Sequence, residues 1–124
     1  MKKDIETRND IELLINTFYD KVKTDPVIGY IFTDVAKVNW EKHLPVMYSF
    51  WENVLFQTGG YAGNPLKTHT DLNKVTPLEP EHFAQWNKIF SSVLDELFEG
   101  RNATLARQRA QSISTIIQIK IMKP

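Results

Sequence analysis

Cysteine is missing from the 124-residue chain, which removes disulfides, a thiol nucleophile, thiolate zinc sites and Cys-ligated iron–sulfur clusters. An excess of charge of one sign is missing as well. Fifteen basic side chains balance fifteen acidic ones, so no surplus of Lys and Arg argues for a nucleic acid or an anionic membrane as partner. Long hydrophobic runs are also absent: no stretch approaches the roughly 20 apolar residues that span a bilayer. The opening residues, Met-Lys-Lys-Asp-Ile-Glu-Thr-Arg-Asn-Asp, lack the apolar core of a signal peptide. These absences predict a single cytoplasmic domain over residues 1–124, with residues 1–9 as a flexible N-terminal extension. A chain of this length buries very roughly two-thirds of its unfolded surface and needs no covalent staple.

What is present is helical period and aromatic bulk. Ile11, Leu14, Ile15, Phe18 and Val22 fall on one stripe of an amphipathic helix. Asn9 or Asp10 is expected to cap it, and Asp25-Pro26 to stop it. Val27 to Phe32 reads as a short apolar turn. Trp40, His43, Leu44, Met47, Phe50, Trp51, Val54 and Leu55 form a second stripe, in which Pro45 lacks the amide hydrogen its position would use. Thr58 to Pro65 carries Gly59, Gly60 and Gly63 and reads as a loop, with room for a turn or two of helix over Leu66 to Asn73. Thr76-Pro77-Leu78-Glu79-Pro80-Glu81 has the acids and proline of a helix start. The stripe Phe83, Trp86, Phe90, Val93, Leu94 and Leu97 follows. Asn102 is expected to cap a last helix carrying Leu105, Ala106, Ala110, Ile113, Ile116, Ile117 and Ile121. The sum is four substantial helices and an all-α fold.

Chemistry can only sit on a few side chains. His43, His69 and His82 have the residue type of a three-histidine zinc site, but no pair has the spacing that places two ligands on one helix face. His43 lies inside an apolar stripe and needs a partner for its nitrogens if buried. His69 follows the glycine loop, with Leu66 and Leu72 three residues to either side, an arrangement able to aim a ligand inward. His82 stands at a helix start, where a neutral surface or capping role is expected because the helix N-terminus disfavours imidazolium. Tyr19 and Trp86 carry polar tips on buried faces. As packing residues they would be ordinary core aromatics. Together with a histidine from a third helix they could converge on one small polar ligand in an apolar cavity, and the aromatic surface suits a flat apolar cofactor.

The segments Phe18-Tyr19-Asp20-Lys21-Val22, Ile31-Phe32, Trp40-x-x-His43-x-x-x-Met47-x-x-Phe50-Trp51, Thr58-Gly59-x-Tyr61-x-Gly63-x-Pro65-Leu66-x-x-His69-x-x-Leu72 and Glu81-His82-Phe83-x-x-Trp86-x-x-x-Phe90 follow one another in an order that resembles the truncated haemoglobins. The similarity runs from about Ile11 to Gln118. Histidine at the distal position and tryptophan on the following long helix point to the third group. The resemblance implies a two-over-two helical sandwich around haem b, with His69 as the proximal iron ligand. His43, Tyr19 and Trp86 match the distal residues and Phe32 the phenylalanine on the porphyrin, while Met47, Phe50, Leu66, Leu72 and Phe90 match the apolar pocket. Pro45 leaves two outcomes for His43: an inward imidazole, or an outward one that leaves Tyr19 and Trp86 as donors.

A single histidine ligand leaves one axial position of the iron open. The other nitrogen of that histidine is expected to donate to an acceptor that fixes its tautomer. Donors aimed at a bound ligand bearing partial negative charge stabilise it by about 1 to 3 kcal/mol each, which slows release. The resemblance therefore implies binding of dioxygen, nitric oxide, carbon monoxide or peroxide for oxygen-linked redox chemistry, dioxygenase-like or peroxidase-like, rather than bulk oxygen transport. No flavin or nicotinamide motif is present, so turnover would require an external reductase. The competing reading, from a different class, is a haem-free helical interaction module that uses the same aromatics as packing.

Overall fold

The computed structural model describes residues 2–37, 39–58, 73 and 78–122. Four long helices account for most of them: α1 (Arg8–Lys23), α2 (Trp40–Phe56), α3 (Pro80–Leu97) and α4 (Arg101–Met122). No strand occurs among the described residues. The principal contacts join α1 to α2, α1 to α3, α3 to α4 and α2 to α4. Each helix therefore meets two others, and the apolar stripes close on one core.

α1 buries Ile11, Leu14, Ile15, Phe18, Tyr19 and Val22, the stripe expected from the period. Its cap differs from expectation. Thr7, not Asn9 or Asp10, is the N-cap. Its hydroxyl accepts from the Asp10 amide at 3.3 Å, while the Asp10 carboxylate accepts from the Thr7 amide at 3.1 Å. This reciprocal box satisfies two backbone donors at once. After Thr24 the Asp25 carboxylate accepts from the amides of Val27 and Ile28 and turns the chain. Gly29 then passes so close over the end of α1 that a Cβ there would lie 2.9 Å from the Val22 carbonyl oxygen. The predicted apolar turn continues further than expected, as a π-helical turn over Ile31–Val35.

Pro45 lies within α2 without ending it. It has no N–H for the Glu41 carbonyl, and Glu41 is exposed, so water can take that place. Helix α3 opens with Pro80 at its first position, as its sequence signature predicts.

The cap of α4 and the role of residues 1–9 both require correction. Asn102 is inside the helix, and its side chain donates to the Ile5 carbonyl at 2.7 Å. The cap comes instead from Asp4, whose carboxylate accepts from the amides of Asn102 and Ala103, each at 2.9 Å. Gly100 precedes the helix at φ +142°, and a Cβ on it would meet the Asp4 carboxyl carbon at 2.6 Å. Ile5 is fully buried in the core, and the Glu99 amide donates to the Lys3 carbonyl. The described part of the expected flexible extension is thus packed: its Ile5 supplies core and its Asp4 a helix cap.

Candidate functional site

Tyr19 stands on the buried face of α1 and is 5% exposed. Rings from three elements surround it: Phe18 at 4.9 Å, Phe32 of the π-helical turn at 5.9 Å, and Trp40 and His43 of α2 at 5.1 and 5.3 Å between centroids. Its hydroxyl lies 3.2 Å from Nε2 of His43. Pro45 has therefore not turned the imidazole outward. Burial pushes the Tyr19 pKa far above the ordinary phenol value, because a phenolate loses more hydration than a phenol does. Tyr19 is thus a neutral phenol with one proton to place.

Trp86 connects to this pair through Phe18, whose ring meets the indole edge-on at 5.0 Å. Behind it Trp86 stacks on Phe90 at 5.1 Å and Phe90 on Trp51 at 4.9 Å. Phe90 is 1% exposed and sits deep in the interior, enclosed by Phe18, Trp51 and Trp86. Met47 and Phe50 are half-buried against the same core. Leu66, His69 and Leu72 lie outside the described residues.

His82 is elsewhere and does what a helix start asks of it. Its Nδ1 accepts from the Glu79 amide at 2.9 Å, which requires an unprotonated Nδ1. Its Nε2 lies 3.4 Å from the Tyr30 hydroxyl. Among the described residues no group of three or more His, Asp or Glu side chains is arranged to hold a metal ion.

The outer part of α2 shows what kind of group the site suits. Trp40, Leu44, Met47, Phe50 and Val54 are large and apolar yet only half-buried, while Trp51 and Leu55 are the two buried residues of the helix. Phe32 and Trp86, from other elements, are half-buried too. A face of large apolar side chains with two polar tips set into it fits a flat apolar cofactor that presents one polar ligand.

No family model matches the chain. It is 32% identical over 126 aligned residues to a curated protein described as Group 3 truncated hemoglobin ctb, from Campylobacter jejuni subsp. jejuni serotype O:2, covering 99% of this chain and 97% of that protein. The chain belongs to the group III truncated haemoglobins. The crystal structure of group III truncated hemoglobin from Campylobacter jejuni superposes with a TM-score of 0.86 at 31% identity, again over 99% of this chain. The fold is thus the two-over-two globin sandwich, and membership of a globin family implies a haem cofactor. Tyr19 and His43 were expected at the distal side, and the truncated-globin fold brings them into contact.

Two contributors were not among the expected site residues. Trp40 touches Tyr19, Phe32 and His43, and the Lys23 ammonium sits 4.5 Å above its ring. Helical spacing offered a signal for Trp40, which lies three residues before His43 on the same face. For Lys23, an ordinary charged residue in the last turn of α1, there was none.

Proposed function

We propose that this truncated haemoglobin binds haem b through His69 and holds diatomic ligands under the Tyr19–His43 pair for oxygen-linked redox chemistry. Haem, held by His69, would supply reversible binding of dioxygen, nitric oxide or carbon monoxide. The observation that carries the reading is the buried Tyr19 hydroxyl 3.2 Å from His43 Nε2.

The pair can place its protons in two ways. If Tyr19 donates to Nε2, the phenol proton is spent on the imidazole. If His43 carries its proton on Nε2 and donates to the phenol oxygen, the Tyr19 O–H is left for the ligand. The second arrangement makes Tyr19 the direct donor and His43 the residue that aims it. The Trp86 indole N–H is the further donor of the reading. Two donors in an apolar pocket favour ligands with partial negative charge and slow their departure, which suits turnover of nitric oxide or peroxide better than bulk oxygen transport. Such turnover draws electrons from an external reductase. Among the described residues no helix is long and apolar enough to cross a membrane.

The ultraviolet–visible spectrum of the purified protein, with and without carbon monoxide, tests the reading. A Soret band that shifts with carbon monoxide is expected. His69→Ala should abolish stable haem retention, or make it dependent on added imidazole, and His82→Ala should leave the spectrum as it is. A colourless protein would favour the haem-free module, and the reverse mutant pattern would move the iron ligand to α3.

A further inference from the structure

Tyr19 and Lys23 are one helical turn apart on α1, and Trp40 and His43 are one turn apart on α2. Tyr19 pairs with His43 and Lys23 with Trp40, so the two helices are joined by two successive rungs. The inner rung is the distal pair. The outer rung is an ammonium over an indole, with Asp20 4.0 Å from the same lysine.

The backbone gives the start of α2 little hold of its own. Trp40 is the first residue of the helix, its N-cap Asn39 makes no side-chain capping bond, and Pro45 lies two residues beyond His43. A helix start with no side-chain cap and a missing amide hydrogen depends on tertiary contacts for its direction. Trp40 supplies them. Its ring stacks against Phe32 at an interplanar angle of 23°, tilts against Tyr19 at 57° and meets His43 edge-on at 79°.

We propose that Trp40 is the positioning residue of the Tyr19–His43 pair and that Lys23 clamps it there through the cation–π contact. Trp40 touches no ligand in this scheme; it sets the angle at which His43 meets the phenol. The inference rests on the haem-globin reading for its kinetic consequence, but not for its geometry.

The test uses Lys23→Met, Lys23→Arg and Trp40→Leu in the full chain. Oxygen dissociation is followed by stopped flow, and the His43 ring resonances by NMR. Lys23→Met should speed oxygen release by about two- to fivefold, the range that losing one exposed cation–π contact corresponds to, and should shift the His43 resonances. Lys23→Arg, which keeps a cation over the indole, should restore both. Raising the salt concentration should move wild type toward the Lys23→Met values and leave Lys23→Met itself unmoved. Trp40→Leu should exceed Lys23→Met in both readouts. Haem-loaded Lys23→Met and Trp40→Leu with wild-type release rates and unshifted His43 resonances would overturn the proposal. If no variant and no wild-type sample shows a Soret band, the haem reading has failed instead, and the His43 resonances alone still decide whether the clamp exists.

Discussion

Replacing Asp4 with alanine tests whether the first residues of the chain belong to the fold. The carboxylate accepts from the amides of Asn102 and Ala103 at the start of α4 and from that of Ile5. Alanine keeps the Cβ and removes every acceptor. Loss of an N-cap costs about 1 kcal/mol, and Ala103 is only 4% exposed, so water reaches its freed amide poorly and an unsatisfied buried donor adds about 1 kcal/mol more. For a chain of 124 residues, about 2 kcal/mol lowers the thermal midpoint by about 8 °C. Acid gives the control. Burial raises the Asp4 pKa, but hydrogen bonds from the amides of Asn102, Ala103, Ile5 and Arg101 outweigh it and hold the pKa below the ordinary carboxylate value. A depressed native pKa stabilises the fold above the unfolded value of about 3.9, and that stability disappears as pH falls through the native pKa. The midpoint gap between wild type and Asp4→Ala, followed by circular dichroism, should therefore be full at pH 7 and shrink below about pH 4. Equal midpoints at pH 7, or a gap that persists undiminished at pH 3, would refute the capping role.

Gly100→Ala should destabilise by a comparable amount, since it strains a residue at φ +142° and drives a methyl group into the Asp4 carboxyl group; in Asp4→Gly, which removes the obstructing side chain, the added cost of Gly100→Ala should fall, as a double-mutant cycle in urea would show. Tyr19→Phe keeps the ring in its cage and removes the partner of His43 Nε2, so stability should drop by about 1 kcal/mol while oxygen dissociation speeds by about tenfold, the factor matching 1.4 kcal/mol. Trp86→Phe should also speed release, but with a larger loss in the thermal midpoint, because a smaller ring leaves a void between Phe18 and Phe90. Stripping haem should lower the unfolding midpoint, as removal of any ligand specific to the native state does; an unchanged midpoint would contradict haem binding.

Local pattern made much of this molecule legible before its structure. The stripe of α1 matches its buried face, that of α3 matches except that Ile89 is buried outside it and Trp86 and Leu97 are only half-buried, and Tyr19 and His43, which the resemblance set together on the distal side, lie in contact. What stayed hidden depends on partners remote in sequence. Asn102 has the residue type of a helix cap, but the acceptor for α4 is Asp4, which only the folded chain brings alongside. The Thr7 cap was legible in the sequence, because Thr7 and Asp10 have the spacing of a capping box. The π-helical turn over Ile31–Val35 is too short for periodicity to reveal. Lys23 gives no sign of its role, since nothing in the chain around it specifies which ring will lie beneath it. His69, the proposed iron ligand, lies outside the described residues and rests on the resemblance alone.

The chain of rings has an optical consequence. Trp40, Trp51 and Trp86 are all the tryptophans of the protein, and each is a link in one sequence of ring contacts that runs from Trp40 through Tyr19 and Phe18 to Trp86, Phe90 and Trp51. No indole sits apart as a bystander. Indole emission therefore originates from this one chain of rings, and a porphyrin bound beside it, absorbing where indole emits, would extinguish nearly all of it. Titration of the unlabelled chain with haem would therefore read occupancy from emission alone.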